Sequence, residues 1–442
     1  MMKLFFVSLG CDKNLVDSEK MLAGLKDAGY EITDDENEAQ ICIVNTCCFI
    51  GDAKQESIET LLTMAGLKKT ARLKVLIAAG CLAQRYSSEL LKEIPEVDAC
   101  IGTFTYESIV ELVDSCIHKK KDERLVTEER YDIPFCGNRL KSDLNHYSYL
   151  KIAEGCDKRC TYCIIPYVRG KYRSFPIEGL VKEAGYLAAN GVNELILVAQ
   201  ETCIYGTDLY GHKAVGELIH ELGKIDGIEW IRLMYCYPEE VDDTLIECYR
   251  NEPKLVHYID LPIQHISDSV LKRMGRRTTG DDIRRTINML KNAIPDMIIR
   301  TSLITGFPGE TDEEFNELLK FVSEGYLDRV GVFTFSREEG TPAYSMKPQI
   351  RKPVKVQRRR ELMLAQQKLV ISRNRSMVGT KLRVCIDGYL PDEDVYIGRS
   401  YMDAPQVDGC IFVKSDRELM TGAFVDAVVN GAEGYDLLAV TV

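Results

Sequence analysis

Histidine is scarce in this chain, with six in 442 residues, and there is no excess of positive charge: 56 Lys and Arg stand against 68 Asp and Glu, for a net charge of −12. So few imidazoles argue against a His-rich zinc site. The negative balance argues against a protein that holds nucleic acid by bulk electrostatics, and it suits a basic protein as substrate. No run approaches the roughly 18 apolar residues of a membrane span. The start, MMKLFFVSLGC, has one Lys, a short apolar run and no cleavage-like segment before Cys11, so it reads as a buried strand rather than a secretory signal. No internal repeat or low-complexity tract stands out. A composition of 45% hydrophobic and 28% charged residues is that of a soluble globular protein. The length predicts about two to four domains, and the expected location is the cytoplasm.

What the chain has in quantity is cysteine, sixteen residues. A secreted disulfide scaffold would be short. Cysteine in a reducing compartment points instead to metal or redox chemistry, and soft sulfur ligands fit it better than imidazole. Residues 1–135 alternate short apolar runs with helical patterns: LFFVSLGC (4–11) before a helix near 14–28, ICIVNTC (41–47) before one near 51–66, and KVLIAAGC (74–81) before one near 86–93. Such alternation predicts a parallel sheet flanked by helices. The charged stretch from Lys119 to Arg130 reads as exposed, with a boundary near 135–145. Further strands are expected at 149–156, 194–201, 230–236, 258–265, 298–307 and 329–335, with helices near 176–190, 213–224, 241–251, 281–292 and 311–324. Six βα units suggest a partial barrel rather than the full eightfold one. A long basic helix follows at 351–376, with nine Lys/Arg and one Glu between 351 and 375. The short β runs of 377–442, broken by Gly, Pro and Asp, read as a five-stranded antiparallel barrel.

The strongest motif is Cys156-Asp-Lys-Arg-Cys160-Thr-Tyr-Cys163, directly after the first barrel strand. Three thiolates this close can cap three irons of a cubane and leave the fourth open to a ligand. A structural zinc knuckle would need a fourth ligand, and no His or Cys follows soon. Cys11, Cys47 and Cys81 each fall at the carboxyl end of a predicted strand, where an open parallel sheet gathers its ligands in one crevice. Taken singly, each would more often be a packed core cysteine. Cys47 and Cys48 are neighbours, and alternation turns one of them away, without the pattern saying which. Cys42, Cys100, Cys116, Cys136, Cys203, Cys236, Cys248, Cys385 and Cys410 read as structural.

EGCDKRCTYCIIPYVRGKYRS, with SLGCDKN (8–14), VNTCCFI (44–50) and GCLAQRY (80–86), resembles the radical S-adenosylmethionine (radical SAM) methylthiotransferase family over essentially the whole chain. The resemblance implies an α/β protein of three domains. They are an N-terminal parallel-sheet domain (1–135) holding an auxiliary iron–sulfur cluster, a partial (βα)6 radical SAM barrel (140–376), and a C-terminal five-stranded antiparallel TRAM β-barrel (377–442) that docks substrate. It implies two 4Fe-4S clusters, one on Cys156, Cys160 and Cys163 and one on Cys11, Cys47 and Cys81, where the family's Asn-Thr-Cys pattern selects Cys47.

S-adenosyl-L-methionine would chelate the open iron of the first cluster. Gln200 and Glu201 sit where relatives hold its methionyl amine, Arg300 and Ser302 lie on the fifth strand, and Gly306 opens GFPGE. The glycines there would let backbone approach adenine or ribose. GFPGET also reads as a plain turn with Thr311 as a helix N-cap. Tyr162 is placed to stack near the adenine or simply to pack. Arg169, Lys171 and Arg173 form a basic segment that could touch substrate, and an electron donor such as a flavodoxin is implied.

Two branches of the family differ in substrate: a transfer-RNA adenosine, or an aspartate β-carbon of a small-subunit ribosomal protein (S-twelve). Residues 377–442 carry five Lys/Arg and eleven Asp/Glu. An RNA-binding barrel should have a basic face, whereas an acidic one suits a basic ribosomal protein. RLMYCYPEE (232–240), YIDLPIQHIS (258–267), LKRMGRR (271–277) and RSYMDAPQVDG (399–409) also look like the ribosomal-protein branch. The basic helix at 351–376 cuts the other way, toward RNA, unless it is a solvated face.

Overall fold

The computed structural model describes residues 2–118, 124–128, 138–142 and 146–442. Much of the charged stretch 119–130, most of the 135–145 boundary, and Cys136 lie outside the described residues. The chain divides into two compact units. One gathers residues 1–143, 151–183 and 336–344; the other gathers 144–150, 184–335 and 345–442. No helix among the described residues is long and apolar enough to cross a membrane.

The first unit is built on six strands: β1 (Lys3–Ser8), β2 (Glu31–Ile32), β3 (Ile41–Thr46), β4 (Val75–Ala79), β5 (Ala99–Ile101) and β6 (Leu125–Val126). They lie in the order β2-β1-β3-β4-β5-β6, every pairing parallel. The central strands ICIVNT and VLIAA are buried along their whole length. Continuous apolar runs of this kind need helices on both faces. Alternation then divides the core: Cys42, Val44, Leu76 and Ala78 pack with Leu61 and Leu82 on one face, while Ile41, Ile43, Val75 and Ile77 pack with Leu25, Ile109 and Leu112 on the other.

The single strand expected at 149–156 is two. β7 (Tyr147–Lys151) ends early, and β8 (Ala153–Glu154) leaves it to pair antiparallel with β9 (Arg173–Ser174). Lys151 and Glu154 explain the break. Residues three apart on a continuous strand face opposite sides, yet their side chains meet at 2.6 Å in the interior.

In the second unit, β7 begins a six-stranded sheet with β10 (Glu194–Val198), β11 (Trp230–Leu233), β12 (Leu255–Asp260), β13 (Ile298–Thr305) and β14 (Arg329–Thr334), in sequential order. Helices Val215–Gly223, Asp243–Asn251, Gly280–Ala293 and Asp312–Ser323 connect successive strands from β10 onward. The last three start at side-chain caps on Asp242, Thr279 and Thr311, the last two with reciprocal capping boxes. This is the open parallel βα sheet of a partial barrel.

The C-terminal strands β15 (Lys381–Leu390), β16 (Val395–Arg399), β17 (Ile411–Lys414), β18 (Phe424–Glu433) and β19 (Asp436–Thr441) close into a barrel in the order β15-β16-β17-β19-β18. Four of its pairings are antiparallel, and β17 with β19 is parallel. The expected five-stranded antiparallel barrel is present, with the one parallel pairing that parity requires, since an odd number of strands cannot alternate direction all the way around. Within this unit the barrel is joined to the parallel sheet. Trp230, Ile196 and Tyr258 share a core with Cys385 and Ala404, and Phe424 packs against it, edge-on to Trp230. Below them Glu194 is buried between Arg232 at 2.8 Å and Arg399 at 2.7 Å. Burial alone would raise the Glu194 pKa, but the two guanidinium groups win and hold it below the usual range.

Candidate functional site

All six predicted cysteine ligands lie in the first unit, and two chain features bring them there. The first is a repeated glycine. Gly10, Gly80 and Gly155 each precede a predicted ligand and each has positive φ, at +92°, +85° and +79°. A Cβ at Gly80 would stand 2.1 Å from Asn45 Oδ1 and 2.7 Å from the Thr46 carbonyl; one at Gly10 would stand 2.7 Å from Cys47 Cβ. Only glycine can turn the chain so sharply out of the strand while neighbouring backbone closes over it. Cys11 becomes the N-cap of helix Asp12–Asp27, and Cys81 enters the first turn of helix Gly80–Glu93.

The second feature is Asn14, which is fully buried. Its Nδ2 donates to the carbonyls of Leu9 and Thr46, both at 3.0 Å, and its Oδ1 lies 3.7 Å from Cys81 Sγ. One amide therefore touches the approach to each of the three cysteines. Burial pushes the thiols of Cys47 and Cys81 up, the proximity of the other thiols adds to it, and the Arg169 charge opposes it. Buried thiols of this kind become ligands only by giving their protons to solvent as metal binds. Cys48 turns away: its Sγ reaches the Cys81 carbonyl at 3.3 Å, and it packs in the core with Leu61 and Leu82.

The Cys156–Cys163 loop leaves β8 and is closed at its base by the Cys156 N–H donating to Gly170 O at 3.0 Å. The Cys163 N–H turns back onto Cys160 O at 3.1 Å, and the Thr161 carbonyl accepts from Ala343 N–H at 2.8 Å. Beyond it, Ile164 and Val168 sink into the same core as Cys81 and Leu82. Tyr162 is half-buried in the turn. Cys156 and Cys160 are buried and Cys163 partly exposed. Among the described residues no three His, Cys, Asp or Glu side chains close on a single-ion site. Cys11, Cys47 and Cys81 are near enough for their thiols to influence one another, and sulfur donors suit polynuclear iron–sulfur sites rather than a single hard cation.

Between the two groups lies a buried ionic cluster. Arg169 Nη1 donates to both oxygens of Glu154, each at 2.9 Å, and to Asp17 at 3.1 Å; Lys151 bonds Glu154 and Asp17 as well. Burial opposes ionisation of Glu154, yet the Arg169 and Lys151 charges hold its carboxyl far below the usual range. The basic segment expected to touch substrate is thus corrected at Arg169, which is only 1% exposed. Arg173 stacks on Phe104, and of the three only Lys171 is exposed. Sequence reasoning did not single out Asn14, and it placed Arg169 facing substrate rather than in the interior. Both lie inside motifs, SLGCDKN and PYVRG, where polar residues read as surface.

The remaining predicted positions lie in the second unit. Gln200 and Glu201 follow β10, and one Glu201 oxygen accepts from the N–H groups of Cys203 at 3.3 Å and Tyr237 at 3.2 Å. Arg300 and Ser302 share a face of β13. Arg300 is paired with Asp260 at 2.8 Å, and Asp408 stands 3.7 Å away. Gly306 donates its N–H to Glu310 at 2.6 Å, but a Cβ there would meet Lys355 Cγ at 2.3 Å. The aliphatic stem of Lys355 packs against the Cβ side of this glycine. Thr311 caps the next helix, as its place in GFPGET predicts.

Comparison with known proteins agrees with this architecture. Residues 3–102 match the uncharacterized protein family UPF0004, 150–322 the radical SAM superfamily, and 378–442 the TRAM domain. The radical SAM methyltransferase TsrM from Kitasatospora setae, solved with cobalamin and a 4Fe-4S cluster bound, shares the fold at TM-score 0.58. It is 14% identical, with 78% of this chain and 77% of that one covered. Fold and sulfur-ligand pattern together define a radical SAM enzyme.

Among curated relatives, the ribosomal protein uS12 methylthiotransferase RimO of Lachnoclostridium phytofermentans is 55% identical over 441 residues, 99% of both chains. RimO of a Thermoanaerobacter species is 50% identical over 98% of both, and that of Clostridioides difficile 47% identical over 99% of this chain and 98% of its own. The chain belongs to the RimO family of ribosomal protein uS12 methylthiotransferases.

Proposed function

We propose that the chain inserts a methylthio group at the β-carbon of an aspartate in ribosomal protein uS12. The observation that carries this is full-length identity of 45–55% to RimO enzymes. Cys156, Cys160 and Cys163 are assigned one 4Fe-4S cluster, and Cys11, Cys47 and Cys81 a second. When bound, the clusters and S-adenosyl-L-methionine supply the radical, sulfur and methyl chemistry that acid–base side chains cannot perform at an unactivated C–H bond.

The chain's own part is to hold and orient. Gly10 and Gly80 let backbone close over the second triad, and Asn14 fixes the strand ends around it. Gln200 and Glu201 are assigned to the methionyl group, and Arg300, Ser302, Gly306 and Tyr162 to the rest of that cofactor. Arg300 comes to this task already oriented by Asp260, and Glu201 by two backbone donors. The C-terminal barrel exposes Asp392, Glu393, Asp394, Asp416, Glu418, Asp426 and Glu433, a surface that attracts a basic protein and repels RNA phosphates. That charge disfavours the transfer-RNA reading. An electron donor such as a flavodoxin, a substrate presented in ribosomal context, and a cytoplasmic location complete the proposal. Mass spectrometry of uS12 from cells with and without the gene tests it. A methylthio mass on uS12 only when the gene is present is expected; an unmodified uS12 with a gene-dependent methylthio adenosine in transfer RNA overturns it.

A further inference from the structure

Arg169 spans from one cysteine triad to the other. At one end, its two-pronged contact with Glu154 ties together residues on either side of the Cys156–Cys163 loop: Glu154 is two residues before Cys156, and Gly170, next to Arg169, accepts the Cys156 N–H at 3.0 Å. At the other end, Arg169 Nη2 bonds Asn14 Oδ1, the same oxygen that faces Cys81 Sγ. Asn14 in turn holds Leu9 and Thr46, the carbonyls two residues before Cys11 and one before Cys47. Asp17, one helical turn beyond Asn14, takes Nη1 and so fixes the guanidinium plane. Lys151 bonds the same two carboxylates and closes the cluster. Four formal charges cancel in pairs, and every group belongs to the first unit.

This arrangement is expensive for stability alone. Buried ion pairs return little net stability over apolar packing, and their best-attested role is to specify one arrangement. A planar guanidinium bonded on both edges also has almost no freedom to rotate. We infer that Arg169 is a positioning residue that sets the distance and orientation between the two iron–sulfur sites. The inference rests on the two-cluster reading above. Lysine cannot replace it, because a single ammonium cannot hold Glu154 and Asn14 in one plane.

The test uses the full-length reconstituted protein, wild type beside Arg169→Lys and Asn14→Ser. The second variant cuts the strut at its far end and removes no charge. The first readout is the magnetic coupling between the two reduced clusters by pulsed electron paramagnetic resonance. The second is methylthio product formed per 5′-deoxyadenosine released. Each variant is expected to show a broadened or shifted coupling, with product per cleavage falling at least tenfold. Coupling and product ratio both unchanged in Asn14→Ser overturn the inference, whatever Arg169→Lys does. If Arg169→Lys fails to retain two clusters per chain, Asn14→Ser alone decides. A wild-type protein that shows no inter-cluster coupling, or that forms no methylthio product, instead overturns the proposed function, so the two failures are told apart.

Discussion

Gly80 shows how much one missing methyl group decides. Its φ of +85° is strained for any other residue, and the space a Cβ needs is filled by Asn45 Oδ1 and the Thr46 carbonyl. Gly80→Ala is expected to cost about 2–4 kcal/mol, the sum of left-handed strain and overpacking, and to lower iron content by displacing Cys81. Chemical denaturation of metal-free protein, with iron analysis of reconstituted protein, checks both. A cost under about 0.5 kcal/mol would mean the turn relaxes freely.

His265 makes a second prediction at this scale. It is completely buried, and its Nδ1 accepts from the Ser267 N–H at 3.0 Å, so its proton sits on Nε2. Burial, chiefly, depresses its pKa to about 3, and nearby Arg273 and Arg358 add to the effect. A base whose pKa is depressed by folding contributes stability that is complete above its unfolded value near 6.5. That stability is lost as pH falls from there toward 3, at up to about 1.4 kcal/mol per pH unit. Denaturation midpoints at pH 7 and pH 5 measure the loss, and His265→Asn should flatten it.

At the scale of elements, the cysteine-bearing turns were legible because apolar runs ending in Gly-Cys announce a strand that stops. The pattern could say little about what supports those turns. Asn14 and Arg169 are 155 residues apart, and their contact depends on tertiary packing that periodicity does not carry. The split of β7 from β8 was hidden for the same reason, since it shows only once Lys151 is found to bond Glu154 and Asp17 together. At Gly306 the sequence could not show that the Cβ side of the turn is packed by a side chain from the helix Lys352–Ser376. The two triads give a separable prediction. Cys156→Ala, Cys160→Ala or Cys163→Ala should abolish 5′-deoxyadenosine release. Replacing Cys11, Cys47 or Cys81 should leave release largely intact and stop methylthio product. Both are read by chromatography of the same reaction; full product yield from the second set would refute its assignment.

At the scale of the molecule, the parallel-sheet and β-barrel character of the parts was legible in the spacing of apolar runs, but their joins were not. Sequence alone makes deletion of 377–442 look like a clean test of substrate docking. The structure shows otherwise, because that barrel shares an apolar core and the Arg232–Glu194–Arg399 lattice with the parallel sheet. Charge reversal on its exposed rim is the better probe. Replacing Asp392, Glu393, Asp416 and Glu418 by Lys should raise KM for uS12 about tenfold at low ionic strength, with kcat little changed. Titration with salt checks the cause: the defect should shrink as salt rises, and a salt-independent loss would point to misfolding.

The first unit is assembled from three separate stretches, the last being residues 336–344. During synthesis, all six cysteines assigned to the clusters have left the ribosome long before Ala343 arrives to donate to the Thr161 carbonyl, or Glu338 to meet Lys54 and Arg85. A nascent chain therefore displays its thiols in an unfinished holder. Iron loading is therefore expected to follow completion of residues 336–344, and a chain ending before residue 336 should carry all six cysteines without the finished fold that holds them.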